Sequence, residues 1–257
     1  MSARVAVLRG RTSDRAAFGA AGAEALGAAL AERLGVPAEL IGEPGAAHDG
    51  RWADDLRDGR AAIAAAGTAF EAALDAGELP VLLASDCTIA IATLPLLARR
   101  DPSARVVWLD AHGDFNTPDT TASGFLGGMC LSAACGRWDA GFDGAFDPER
   151  VVLSDGRDLE HGERLELERA GVAIVPPAGV AAAVRGERVL LHLDLDVLDP
   201  SEMPFSFPAA HGLSLDALRG VLDELAATAE IVAVQVTSIA PGAAGRLAAA
   251  LDPVLTA

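Results

Sequence analysis

The stretch Trp108-Leu109-Asp110-Ala111-His112-Gly113-Asp114 sets two carboxylates and an imidazole at alternate positions directly after an apolar run. A second stretch, Leu193-Asp194-Leu195-Asp196-Val197-Leu198-Asp199-Pro200, does the same with two more carboxylates. In extended backbone, residues i, i+2 and i+4 point to one side. Asp110, His112 and Asp114 are therefore expected to converge from one strand end, and Asp194 with Asp196 from another. Carboxylates gathered at one spot repel each other and cost desolvation unless cations neutralise them. The spacing points to a divalent metal centre holding a pair of ions. Any one of these aspartates alone reads equally well as a cap on a helix or turn. The set of four together with His112 carries the metal reading.

Short apolar runs alternate with Ala-rich helical stretches throughout. Strands are predicted at Arg4–Leu8, Ala38–Ile41, Pro80–Ala84, Val106–Asp110, Val151–Ser154, Val172–Val175, Val189–Asp194 and Ile231–Val236. Helices are predicted at Arg15–Leu34, Trp52–Ala76, Thr88–Arg99, Leu159–Ala170, Leu215–Ala227 and Ala243–Ala250. Gly35-Val36-Pro37 carries the stop signal of the first helix. Such alternation implies right-handed βαβ crossovers and a mostly parallel sheet covered on both faces. The expected architecture is a three-layer α/β/α fold with eight strands, formed as a single domain over residues 1–257. Ligands of open parallel sheets bind beyond the carboxyl ends of the strands. Asp86-Cys87, Asp110–Asp114 and Asp194–Asp196 all follow such ends.

Composition narrows the chemistry. The chain has no Lys and no Tyr, which excludes a Walker A lysine, a pyridoxal Schiff base and a lysine general base. A net charge of −17 argues against a nucleic-acid partner. It suits a small cationic substrate. No run approaches the ~20 apolar residues of a membrane span, and the apolar start at Val5–Leu8 is too short for a signal peptide. Three cysteines, Cys87, Cys130 and Cys135, form no even framework and suggest reduced thiols in a cytoplasmic protein.

Asp110 to Gly124 matches every fixed position of D-A-H-x-D-x-N-T-P-x-T-T-x-S-G, and Asp194 to Pro200 matches D-x-D-x-x-D-P. Both blocks resemble the arginase or ureohydrolase family, whose members hydrolyse C–N bonds of guanidino compounds at a binuclear manganese centre. The resemblance implies that Asp110 and Asp194 bridge two metals and that His112 and Asp196 complete one site. Asp114 would bind the other metal and hydrogen-bond a bridging hydroxide that attacks the guanidine or amidine carbon. Asp114 and His112 are thus the expected catalytic residues. Mn²⁺ suits such oxygen-rich ligation. Asn116 and Ser123 match positions that contact an amino-acid carboxylate, although Asn116 reads equally as an Asx-turn residue. Glu160 stands for the aspartate that meets the α-amino group, Asp119 adds charge near the mouth, and Arg157 is expected to fix loops through ion pairs. The resemblance also implies a homo-oligomer, a trimer or hexamer.

Three positions depart from the family pattern. Cys87 replaces the histidine that completes the first metal site; ligation by its thiolate is expected, shifting preference toward Zn²⁺ or Fe²⁺. Gly127 and Phe125 replace a histidine credited with proton transfer and an asparagine near the substrate carboxylate. His211 is a candidate replacement acid from the loop after Asp196. Ser238 stands where arginases carry a glutamate that pairs with the guanidinium. Losing that contact, worth roughly 1.5–3 kcal/mol, favours a less basic group: an N-hydroxyguanidine, a formimino group or another amide-like C–N bond. A branch of the family acting on hydroxyarginine is similar in carrying Cys at the metal position. The competing reading is a degenerate member that binds a ligand without catalysis. A single-zinc deacetylase is excluded by the lack of Tyr.

Overall fold

Eight apolar runs form strands in the computed structural model, which describes residues 2–256. They are β1 (Ala3–Leu8), β2 (Ala38–Ile41), β3 (Leu79–Leu83), β4 (Arg105–Asp110), β5 (Val151–Asp155), β6 (Ala173–Val175), β7 (Arg188–Asp194) and β8 (Glu230–Thr237). Their order in the sheet is β2-β1-β3-β8-β7-β4-β5-β6. Every neighbouring pair is parallel, so the sheet is wholly rather than mostly parallel. The connecting helices are α1 (Gly19–Leu34), α2 (Trp52–Asp75), α3 (Ala90–Arg100), α4 (Cys130–Ala134), α5 (Glu163–Ala170), α6 (Val180–Ala183), α7 (Leu215–Thr228), α8 (Ala244–Ala250) and α9 (Asp252–Leu255). The three short helices α4, α6 and α9 were not legible, because four or five residues show no helical period.

Strand alternation produces the three layers. Val5 and Val7 of β1, with Val107 and Leu109 of β4, pack with Leu26 and Leu30 of α1 and Leu222 of α7. Ala6, Leu8, Val106 and Trp108 face the opposite way, with Ile63 and Phe70 of α2 and Leu94 of α3. Gly35 ends α1 as expected, in the left-handed region at φ 68° with its N–H on the Ala31 carbonyl. Gly22 is required by a close approach: a Cβ there would stand 1.7 Å from the Ile239 carbonyl oxygen. The helix thus lies directly against the turn that follows β8.

Two helices begin later than their periodicity predicts. Helix α1 starts at Gly19 rather than Arg15, and α5 at Glu163 rather than Leu159. In the first case Thr12 and Ser13 direct their polar groups to Asp86, which holds the preceding segment in a loop. Gly162, at φ 87°, breaks the second.

A buried polar thread crosses one layer. His192 Nδ1 pairs with Gln235 Oε1 at 2.9 Å, and Gln235 Nε2 donates to Thr93 Oγ1 at 2.7 Å. The His192 ring stacks on Trp108, with centroids 3.6 Å apart and planes within 5°. Burial pushes the His192 imidazole down to about 4, outweighing the support of Gln235 and Asp194. Its folded pKa lies below the unfolded value of about 6.5, so between these values the unfolded state binds the extra proton. The stability contributed by the neutral ring is whole above pH ~6.5 and is lost as pH falls toward ~4. Urea unfolding at successive pH values should show the wild type losing up to about 3 kcal/mol more than His192→Gln across that window.

Candidate metal centre

The ends of β3, β7 and β4 supply the site, with β8 lying between β3 and β7. Strand β3 leads into Asp86 and a turn of 3-10 helix over Cys87–Ile89. The Asp86 carboxylate accepts from Thr88 N at 3.0 Å, Ser13 N at 2.9 Å and Thr12 Oγ1 at 2.8 Å, so it caps that turn. Cys87, next in the chain, is left 4% exposed against the acidic cluster. Strand β4 ends on Asp110 and β7 on Asp194, with Asp196 in a 3-10 turn over Leu195–Val197.

Alternation along a strand is not what brings His112, Asp114 and Asp196 inward. Strand β4 stops at Asp110, and Asp114 adopts φ 49°, in the left-handed region that aspartate tolerates. The Asp114 carbonyl accepts from Leu131 N at 3.0 Å and Ser132 N at 3.2 Å, so α4 holds the turn closed. Gly113 admits Glu163, whose Oε1 would be 2.8 Å from a Cβ at that position. Glu163 in turn accepts from Phe115 N at 2.8 Å.

Donor atoms of Cys87, Asp110 and Asp114 lie within 4.8 Å of one another, as do those of Asp110, His112 and Asp196. Asp194 lies between the two trios. Its Oδ2 accepts from Cys87 Sγ at 2.9 Å, Thr237 Oγ1 at 3.1 Å and Ser238 Oγ at 2.7 Å, and its Oδ1 from Asp196 N at 2.8 Å. Asp110 is held by Trp108 Nε1 at 3.0 Å and by His112 N at 2.6 Å. His112 Nδ1 stands 3.1 Å from Asp196 and 3.5 Å from Asp110. Asp196 Oδ1 is buried without a partner.

The electrostatics measure a demand for positive charge. Burial, then the charge of Asp110, pushes the Asp114 carboxyl well above the usual range. Asp196 is raised by burial and Asp194. Burial, then Cys130 and the neighbouring carboxylates, raises the Cys87 thiol. Burial opposes a charge on His112, yet hydrogen bonds to Asp110 and Asp196 override it and push the imidazole up to about 12. One imidazole beside four aspartates leaves the cluster's negative charge unbalanced, and the unpartnered Asp196 oxygen is a donor suited to a cation. The donor set fits two divalent ions.

The cluster floors a cavity of about 120 Å³. Asn116, Ser123 and Glu160 line it. Asn116 is also tied to Thr120, and the Glu160 carboxylate accepts from Ala122 N at 2.9 Å. Asp119 is exposed and does not line the cavity itself. One sequence expectation is corrected. His211 is exposed and does not line the cavity, so the structure does not place it as the acid.

The structure adds residues that sequence reasoning missed. Asp14, and Arg15, read as the start of a helix, line the cavity with Glu163 and Phe207. Burial raises Asp14 to about 7, with Asp86 adding to the shift, and burial raises Glu163 to about 7. The only sequence hint for Glu163 was its place three residues after Glu160.

A family model described as the Arginase family matches residues 50–251. The N(omega)-hydroxy-L-arginine amidinohydrolase of Streptomyces lavendulae is 39% identical over 226 residues, covering 86% of this chain and 83% of that protein. The arginase of Bacillus caldovelox is 32% identical over 205 residues, covering 70% of this chain and 69% of its own. The solved native arginase from Bacillus caldovelox superposes with a TM-score of 0.83 at 26% identity, over 100% of this chain and 99% of that one. The Entamoeba histolytica arginase in complex with L-ornithine shares the fold, with a TM-score of 0.82 at 19% identity and the same coverage.

Arg157 secures the loop behind the cluster. It ion-pairs with Asp155 and donates to the carbonyls of Asp196 at 2.9 Å, Ala209 at 3.0 Å and Ala210 at 3.1 Å. Replacing it leaves those acceptors and a half-buried carboxylate unpaired. Arg157→Ala is expected to lower unfolding stability by about 2–4 kcal/mol in urea titrations.

Proposed function

Because the chain belongs to the arginase family and is an amidino-group hydrolase, we propose that it cleaves the C–N bond of a small N-hydroxyguanidino acid with two divalent cations. The observation that carries this reading is the convergence of Cys87, Asp110, His112, Asp114, Asp194 and Asp196 without enough basic side chains to neutralise them. Cys87 and Asp114 would hold one cation, His112 and Asp196 the other, with Asp110 and Asp194 shared. Oxygen-rich ligation favours Mn²⁺, and the Cys87 sulfur leaves room for Zn²⁺ or Fe²⁺. Bound cations of this kind lower the pKa of a shared water towards neutrality and so supply the nucleophile.

The chain's own groups do the rest. The Asp114 carboxylate, fixed by its left-handed turn and approached by Cys130 Sγ at 3.5 Å, receives the proton given up by the attacking water. It then returns that proton to the departing nitrogen. Gly127 offers no side chain for this task, so Asp114 carries both transfers. Asn116 and Ser123 bind the acid end of the substrate, and Glu160 faces its amino group.

Ser238 favours the hydroxylated guanidine over arginine. Its Oγ is spent on Asp194 at 2.7 Å, so no carboxylate faces the guanidine from the end of β8. An uncompensated guanidinium would forfeit roughly 1.5–3 kcal/mol; the less basic N-hydroxyguanidine, or a formimino group, forfeits less. Free buried thiols at Cys87, Cys130 and Cys135 suit a reducing cytoplasm. The family resemblance suggests a homo-oligomer.

Elemental analysis of manganese-loaded protein should find two ions per chain, falling to one in Cys87→Ala. On a panel of arginine, N-hydroxyarginine and formiminoglutamate, the hydroxylated compound should turn over fastest. Asp114→Ala should lower kcat by about 10²–10⁴-fold, and chelation should abolish activity. Two bound ions with no turnover of any panel member would sink the substrate assignment and leave a ligand-binding protein.

A further inference from the structure

Phe125 and Gly127 are one substitution rather than two. A Cβ on Gly127 would lie 2.4 Å from Phe125 Cε1 and 2.6 Å from its Cζ, so the ring occupies the space a side chain at 127 would need. The same ring packs on Phe207, with centroids 4.7 Å apart. Over it lies the Arg15 guanidinium, 4.8 Å from the Phe125 centroid and 5.8 Å from that of Phe207. All three side chains line the cavity. The absence of a side chain at 127 therefore makes room for a platform that fixes a cation at the cavity wall.

That cation is the only arginine among the lining residues described, and His112, the other basic group, is already paired with Asp110 and Asp196. Nine carboxylates line the cavity. Arg15 Nη2 reaches the Ser123 carbonyl at 3.4 Å and the Gly50 carbonyl at 3.4 Å, which puts the charge beside the loop that carries Ser123. Its ionic partner, Asp49, meets Nε at 2.9 Å but is 84% exposed, so water already competes for that pair. Nη1 makes no hydrogen bond among the described residues. At the cavity wall, away from His112 and the metal-binding floor, this guanidinium is the cationic group an entering anion meets among the lining residues. Stacking on two rings leaves the guanidinium edge free to donate to a carboxylate.

We propose that Arg15, seated on Phe125 and Phe207, receives the substrate's carboxylate and sets the preference for amino-acid substrates over their decarboxylated counterparts. This inference rests on the proposed hydrolysis of a guanidino acid, and its test does not need hydrolysis. Calorimetric titration of the manganese-loaded full chain compares L-ornithine with 1,4-diaminobutane, which lacks only the carboxylate. The wild type should bind L-ornithine at least about ten-fold more tightly. Arg15→Gln should bring the two affinities within about two-fold by weakening L-ornithine alone. Phe125→Leu, which removes the platform and keeps the charge, should weaken L-ornithine by less than Arg15→Gln does, with the diamine again unchanged. An unaltered preference in Arg15→Gln, or equal weakening of both probes, would overturn the proposal in favour of a staple between loops. Neither probe contains a scissile guanidine. A lost preference with no turnover of any guanidine would therefore uphold Arg15 while the hydrolytic reading fails.

Discussion

Repulsion among buried aspartates is the constraint on which this structure turns. At an effective dielectric of about 20, two carboxylates 4 Å apart oppose each other by about 4 kcal/mol, and Asp110, Asp114, Asp194 and Asp196 are all buried. Such a cluster survives only where the backbone gives its members no escape. Parallel pairing of β4 with β7 and of β7 with β8 supplies that restraint, since it fixes which residues stand at each strand end. Neutral donors then hold individual oxygens: Trp108 Nε1 for Asp110, Thr237 and Ser238 for Asp194. Each donor orients a carboxylate without cancelling its charge, so the appetite for cations is kept.

The departures from the family pattern fit this charge balance. Cys87 as a thiolate would add a negative charge where an imidazole has none, and Ser238 removes one where a glutamate would add it. Both groups meet at the same oxygen, Asp194 Oδ2, with Cys87 Sγ at 2.9 Å and Ser238 Oγ at 2.7 Å. Two changes that look unrelated along the chain thus act on one carboxylate. With Cys87 as a thiolate, the two together would keep the net charge of the centre while withdrawing the group that would hold a guanidinium.

The strand ends were legible in the sequence because their cause is local. Runs such as Val106-Val107-Trp108-Leu109 and Val189-Leu190-Leu191-His192-Leu193 declare strands by composition, and acidic residues at their ends are visible directly. What lay hidden was tertiary. The inward aim of Asp114 depends on N–H groups of Leu131 and Ser132 in α4, a helix of five residues with no readable period. Arg15 read as the start of a helix because nothing nearby revealed that Thr12 and Ser13 are claimed by Asp86, more than seventy residues away. His211 was attractive as an acid by residue type alone, and the structure leaves it exposed outside the cavity.

Chemistry and selectivity are mounted on different parts of the fold. Asp110 is braced by Trp108, Trp108 lies flat on His192, and His192 reaches through Gln235 to Thr93 of α3. That chain of contacts runs into the core, where packing leaves side chains little freedom, so the carboxylate floor is as rigid as the sheet. The opposite wall of the cavity is built from Arg15, Ser123, Phe125 and Phe207, all outside the strands and long helices. Loops tolerate change that a core does not. The Phe125 ring fills the space beside Gly127 and packs on Phe207 and Arg15, all in the loops of this wall. A sheet that must keep four acids converged leaves variation to its loops, and the departures at Phe125, Gly127 and Ser238 all lie in loops or short turns, Ser238 in the one after β8.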